Sequence, residues 1–196
     1  PKQFLDILGT GKTLLQQTYD RFIDVCPDKN IFIVTSDQYK ELVYKQLPQI
    51  PRENVLAEPS RKNTAPCIAY ASYKIHKLNP KAVTVVAPSD HLITKEDTFK
   101  KAIKSCFAKA ESEDCLVTLG ITPHRPDTGY GYIQFVDSPV KEKDKRIKKV
   151  KTFAEKPELE QAKFFVQSGD FLWNSGIFIW STQSIINAFE KHDPEM

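Results

Sequence analysis

Short apolar runs rich in valine and isoleucine recur along the chain at residues 31–35, 82–87 and 115–121. Between them lie amphipathic stretches, 13–25, 38–46, 65–77 and 98–112, in which apolar residues return at spacings of three and four. A short continuous apolar run is a strand buried on both faces, and the three-and-four spacing is a helix with one buried stripe. Their alternation predicts an α/β fold, a Rossmann-like doubly wound and mostly parallel sheet covered by helices on both sides. After Gly120 the rhythm changes. Residues 130–136, 147–154 and 171–180 read as strands, with one clear helix among them at Leu159–Ser168 and a helical pattern closing the chain at Thr182–His192. The second half is therefore expected to be a mixed or antiparallel extension of the first.

At 196 residues the chain has the length of one domain with a sizeable core. It is 40% hydrophobic and 27% charged, and no apolar run approaches the roughly 20 residues of a membrane-spanning helix. No membrane partner is expected. The net charge of +3 is too small to point to nucleic acid. Cys26, Cys67, Cys106 and Cys115 are scattered through or beside apolar segments with no C-x-x-C pair, the pattern of buried free thiols in a reducing, cytoplasmic setting. The basic run at 141–151 is interrupted by Glu142 and Asp144 and reads as a solvated hairpin. The chain opens at Pro1 and closes at 193–196 without a finishing signal, so a piece of a longer protein is expected, with any site that draws on outside residues incomplete.

Candidate chemistry gathers at a few places. The stretch 127–133, Asp-Thr-Gly-Tyr-Gly-Tyr-Ile, puts glycines two apart at the start of an apolar run. Ala154-Glu155-Lys156-Pro157 and Trp173-Asn174-Ser175-Gly176 follow it. Bare backbone, a carboxylate, an ammonium and an amide suit a pocket for a phosphorylated sugar. Taken singly, the same pieces also read as a bulge, a strand end and a turn. Asp90 follows the run 83–89, where the carboxyl end of a strand in an open α/β sheet gathers ligands. A carboxylate there can hold Mg²⁺ against phosphate oxygens, or it can cap the next helix. His91 beside it reads as a structural hydrogen-bonding residue, having no ligand partner at metal spacing. Gly9-Thr10-Gly11-Lys12-Thr13 imitates the end of a phosphate-binding P-loop, but Asp6 stands where that pattern requires glycine, and a tight turn before a helix is expected instead.

With these residues in view the chain resembles the sugar-phosphate nucleotidyltransferases, and among them the mannose-1-phosphate guanylyltransferases. The resemblance runs over essentially all 196 residues. It is carried by Pro1-Lys2-Gln3-Phe4-Leu5, Asn63-Thr64-Ala65-Pro66, Pro88-Ser89-Asp90-His91, Thr128-Gly129-Tyr130-Gly131-Tyr132, Glu155-Lys156-Pro157 and Trp173-Asn174-Ser175-Gly176. It implies a nucleotide-diphospho-sugar transferase fold and a reaction between GTP and mannose 1-phosphate that yields GDP-mannose and pyrophosphate with the help of Mg²⁺ or another divalent cation. It further implies that Lys2 lies along the triphosphate, that Asp90 binds the metal, and that Glu58, Asn63 and Thr64 surround the base. Glu58 would accept from the N1–H and exocyclic amine of guanine. Gly131 would offer its backbone to the mannose, Glu155 and Asn174 would bind hydroxyls, and Lys156 would hold the sugar phosphate.

The family's glycine-rich loop before Pro-Lys is absent from the residues given, and a second metal-binding aspartate would lie past Met196. The expectation is thus a single nucleotidyltransferase domain over 1–196 lacking that loop and a C-terminal continuation, with a homo-oligomer left open. A non-catalytic nucleotide-sugar-binding or regulatory subunit of the same fold stands as the alternative, as does a nucleotidyltransferase for another base or sugar 1-phosphate. Adjacent strand residues point to opposite faces, so Glu155 and Lys156 can serve one pocket only if the strand ends or bends at Pro157.

Overall fold

A computed structural model describes residues 1–58, 64–136 and 144–195. Elements alternate through the first half: α1 (Leu14–Ile23), β1 (Ile33–Ser36), α2 (Lys40–Gln46), β2 (Val55–Glu58), α3 (Thr64–Leu78), β3 (Val83–Val86), α4 (Glu96–Ser112) and β4 (Val117–Ile121). β5 (Tyr132–Val136), β6 (Lys149–Ala154), α5 (Leu159–Ser168), β7 (Phe171–Ser181) and α6 (Thr182–His192) complete the chain. β2 was not foreseen, because its apolar run, Val55-Leu56-Ala57, is shorter than those that marked β1 and β3. Residues 141–143 of the basic run, where the solvated hairpin is expected, and Asn63 lie outside the described residues.

β1 and β2 pair in parallel, Ile33 opposite Val55 through Ser36 opposite Glu58. The larger sheet is organised by β7, the longest strand. Ile179 of β7 has Val85 of β3 on one side and Val117 of β4 on the other, both antiparallel, so β3 and β4 run in the same direction with β7 between them. Further back, Trp173 has Tyr132 of β5 and Ile121 of β4 as neighbours, and β6 extends the sheet from β5. The α/β class is as the alternation predicts, and the second half is the antiparallel extension.

β7 alternates buried and half-buried positions from Phe171 to Ile179, which lets it serve two layers. Ile177 and Ile179 pack with Phe99, Ile103, Cys106 and Ala110 of α4, whereas Trp180 packs with Ile68 of α3 and Ile185 of α6. Tyr132, Phe171 and Trp173 close on Ala162 of α5. A separate cluster of Phe4, Leu15, Tyr19, Val43, Leu47, Ile50 and Val55 ties the first residues of the chain to α1, α2 and β2. Phe4 is thus an anchor that fixes where Lys2 stands. All four cysteines are free; Cys106 is buried and the others are half-buried.

The P-loop imitation folds as a turn. Gly9 and Gly11 take left-handed φ values of 67° and 80°, and the Asp6 carboxylate accepts from the N–H groups of Thr10 (3.0 Å) and Gly11 (2.7 Å). The donors that would cradle a phosphate are spent on the chain's own carboxylate. Thr13 then caps α1 in a reciprocal box with Gln16.

Candidate active site

β3 ends at Val86, opposite Phe178, and the loop after it carries Pro88, Ser89 and Asp90. Asp90 does not cap α4, whose N-cap is Lys95. Its carboxylate Oδ2 instead lies 2.9 Å from Nζ of Lys2, which stands in a short 3-10 turn held by Phe4. Side-chain exposures of 66% for Lys2 and 27% for Asp90 leave both open to a ligand, and screening makes their attraction for one another modest. On the protein side of the loop, Thr18 of α1 donates its hydroxyl to the Ser89 carbonyl at 3.4 Å. One turn further along α1, Arg21 is buried, with Glu96 Oε1 at 3.6 Å as its ion-pair partner. Burial lowers the His91 pKa, Lys2 and Arg21 push it the same way, and Asp90 opposes them. His91 therefore stays neutral near pH 7, and its ring makes no hydrogen bond among the described residues, contrary to the role expected for it.

Across the loop stands Asn174-Ser175-Gly176, which is neither a turn nor regular strand but a bulge inside β7. The register against β4 moves from Thr118–Phe178 to Gly120–Asn174, two residues of β4 answering four of β7. Gly176 takes φ 71°, and a Cβ there would meet Cγ of Pro88 at 3.5 Å, so the bulge lies directly against the loop of Asp90. Asn174 Oδ1 accepts from the Gly176 N–H at 3.0 Å, and Ser175 Oγ donates to the Leu119 carbonyl at 2.8 Å. With its carbonyl oxygen engaged, Asn174 has its NH₂ group left to offer as a donor.

Gly131 precedes β5 and accepts the Asn174 backbone N–H at 2.8 Å. A Cβ on Gly131 would lie 2.8 Å from Oε2 of Glu155 and 3.6 Å from Cβ of Asn174. The three residues thus converge within 4 Å of one point. The space a side chain at Gly131 would enter is taken by the Glu155 carboxylate, so the glycine serves that carboxylate as much as any ligand. β6 ends at Ala154, and Lys156 adopts a left-handed φ of 42°, which is costly for a residue with a side chain. That bend brings Lys156 Nζ to 3.1 Å from Glu155 Oε1, so the two residues do serve one face.

The base-side residues are more spread. Glu58 ends β2 opposite Ser36, and Thr64 opens α3 in an exposed position. Burial, with a smaller contribution from the Glu58 charge, pushes the Cys67 thiol up to about 11. It stays protonated beside Glu58 and is no nucleophile.

Asp90 is the one metal-ligand candidate the sequence raised, and no group of three or more His, Cys, Asp or Glu side chains stands at metal-binding distance among the described residues. A single accessible carboxylate that already attracts an ammonium fits a hard dication whose remaining ligands come from substrate phosphates and water. Sequence reasoning missed the underpinning of both loops: Thr18 and Arg21 beneath 88–91, and Tyr132 with Asp127 beside Gly131. Thr18 and Arg21, three apart on α1, carry no motif; Asp127 and Tyr132 stand inside the glycine stretch singled out in the sequence, but nothing in it shows that the tyrosine hydroxyl grips the aspartate's backbone.

No helix among the described residues is long and apolar enough to cross a membrane. A family profile described as nucleotidyl transferase matches residues 1–196. A mannose-1-phosphate guanylyltransferase of Escherichia coli strain K12 is 36% identical over 200 residues, covering 100% of this chain and 41% of that protein. The chain thus spans about two fifths of the length of that curated relative. A solved structure described as a mannose-1-phosphate geranyltransferase from Thermus thermophilus superposes with a TM-score of 0.86 at 27% identity, covering 99% of this chain and 54% of that one. Another, described as mannose-6-phosphate isomerase from Helicobacter pylori, gives 0.81 at 31% identity, with 99% and 71% covered.

Proposed function

From the premise that this chain belongs to the nucleotidyl transferase family, we propose that the protein it forms part of makes GDP-mannose and pyrophosphate from GTP and mannose 1-phosphate. The observation that carries the reading is the meeting of Gly131, Glu155 and Asn174 beside the loop of Asp90. One hexose phosphate can rest its hydroxyls on the first group and turn its phosphate toward the second. A non-catalytic subunit is not favoured, since the relative matched across the whole chain is itself described as a guanylyltransferase.

A phosphate oxygen of mannose 1-phosphate attacks the α-phosphorus of GTP, the bond from that phosphorus to the bridging oxygen breaks, and pyrophosphate leaves in line. Such transfer depends on positioning and on neutralising charge. Glu155 accepts from sugar hydroxyls, the Asn174 NH₂ donates to them, and Lys156 holds the sugar phosphate at the pocket's rim. Lys2, 2.9 Å from Asp90, lies along the triphosphate. Glu58 and Thr64 face the base, with Glu58 reading guanine, and Asn63 is proposed for the same role from its sequence motif alone. Asp90 would hold the divalent cation, which when bound supplies positive charge to the phosphate oxygens. Pyrophosphate release by the full-length protein, measured over a panel of nucleotides and sugar 1-phosphates, tests the reading. Release is expected with GTP and mannose 1-phosphate, and preference for another pair would replace it.

A further inference from the structure

The stretch from Arg125 to Tyr130 leads into Gly131, and its bonds meet at Asp127. The Asp127 carboxylate takes the Gly129 N–H on Oδ1 at 2.9 Å and the Arg125 guanidinium on Oδ2 at 2.7 Å. Gly129 donation above all, with Arg125 adding to it, holds that carboxyl below its ordinary value. Arg125 in turn lies over the Trp173 ring at 5.4 Å, and the rings of His124 and Tyr130 each lie 5.0 Å from it. The base of the loop is closed by a single hydroxyl. Tyr132 donates to the Asp127 carbonyl at 3.0 Å and accepts from the Asp127 N–H at 3.0 Å.

Tyr132 is fully buried at 0% exposure, packed on Phe165 at 5.2 Å, and paired in the sheet with Ala154 and Trp173. Each of those three strand residues is the immediate neighbour of a residue of the sugar pocket: Gly131, Glu155 and Asn174. A buried ring that cannot move, carrying a hydroxyl that grips both backbone groups of one residue, fixes the path of the chain between Asp127 and Gly131.

We propose that Tyr132 is a positioning residue for the sugar phosphate, its hydroxyl stapling the 127–131 loop so that Gly131 presents bare backbone beside Glu155 and Asn174. It touches no substrate. This rests on the function proposed above and extends it to a residue on the reverse face of the sheet. The staple predicts a loss confined to one substrate. The aromatic ring of a Tyr132→Phe variant still fills the core, but the Asp127 N–H and C=O lose their partner and Gly131 loses its fixed place.

The test is steady-state kinetics on the full-length protein with mannose 1-phosphate and GTP varied separately, for wild type, Tyr132→Phe and Tyr19→Phe. Tyr19 supplies the control, because it is also buried but its hydroxyl has no hydrogen-bond partner among the described residues. Tyr132→Phe is expected to raise KM for mannose 1-phosphate about tenfold, the effect of losing one or two neutral hydrogen bonds, with KM for GTP unchanged. Hydrogen exchange over 126–131 should quicken in the ligand-free variant. Tyr19→Phe should change neither KM. If Tyr132→Phe fails to fold, 4-fluorophenylalanine incorporated at position 132, which keeps the ring and its para substituent but cannot donate to the Asp127 carbonyl, is expected to show the same split. An unchanged KM for mannose 1-phosphate, or equal rises for both substrates, in the variant that folds overturns the proposal while leaving the function intact. Wild-type protein that uses no sugar phosphate overturns the function first, and this inference with it.

Discussion

On the side proposed for the sugar, Gly131, Glu155 and Asn174 meet within 4 Å of one point from three neighbouring antiparallel strands, whereas on the side proposed for the nucleotide Lys2 and Asp90 share one ion pair and Glu58 ends a separate parallel sheet. The difference follows from how each sheet places side chains. Antiparallel register sets residues of β5, β6 and β7 opposite one another, and a bulge then aims Asn174, so the pocket is fixed by main-chain hydrogen bonds. In the α/β half Asp90 stands on the loop past β3 and Lys2 in the 3-10 turn before α1, and these segments are held by side chains such as Thr18 and Phe4. On the proposed function, one half is built before substrate arrives and the other would be completed by the triphosphate and its cation.

The largest effect separating the halves is expected from Asp90→Asn, which keeps the side chain's shape and removes its charge. Turnover should fall by about 10²–10³-fold with the thermal midpoint nearly unchanged, measured by pyrophosphate release and thermal unfolding. Glu58→Gln comes next. GTP use should weaken by about 1–3 kcal/mol while ATP use does not fall in parallel, and equal losses for both nucleotides would remove Glu58 from base recognition. On the other side, Gly131→Ala puts a methyl carbon 2.8 Å from Oε2 of Glu155, inside van der Waals contact. The carboxylate must swing away, so KM for mannose 1-phosphate should rise about tenfold with GTP binding unaltered.

The smallest effect concerns acid. Asp6 on the turn near the nucleotide side and Asp127 on the sugar-side loop are both held below their ordinary 3.8, chiefly by backbone N–H donors. Around that pH the folded chain binds fewer protons than the unfolded one, so their contribution is full above 3.8 and is lost as pH falls through the folded values. Stability measured by urea unfolding should ease downward as pH falls through 6.5, where the unfolded His91 takes up a proton that the folded one resists, and decline further below about 4. Asp127→Asn should shrink that decline and Asp6→Asn likewise, each by a part.

Much of this arrangement was legible in the sequence. Alternating valine-rich runs and three-and-four spacing marked the α/β half, and the helix at Leu159–Ser168 could be read to the residue. Glycine pairs and short polar motifs marked Gly131, Glu155 and Asn174, because bare backbone and a few convergent polar groups leave a local trace. β2 escaped because its apolar run, Val55-Leu56-Ala57, is shorter than the valine- and isoleucine-rich runs that marked β1 and β3. The bulge at Asn174 escaped because it exists only in register with β4. The sharp turn at Lys156 could be asked for but not seen, since a lysine gives no sign of a left-handed φ. Thr18, Arg21 and Tyr132 act through partners far along the chain or through backbone groups, and no spacing rule records such contacts.

The central claim is that the sugar pocket stands assembled and is separable from the nucleotide side. It is tested most directly by titrating Glu155→Ala in the full-length protein with mannose 1-phosphate and, separately, with GTP and Mg²⁺. Glu155 is 70% exposed, so its loss leaves the fold untouched. The expected result is a rise of about tenfold or more in Kd for mannose 1-phosphate, with Kd for GTP within about a factor of two of wild type. Equal weakening of both ligands, or unaltered binding of mannose 1-phosphate, would contradict it.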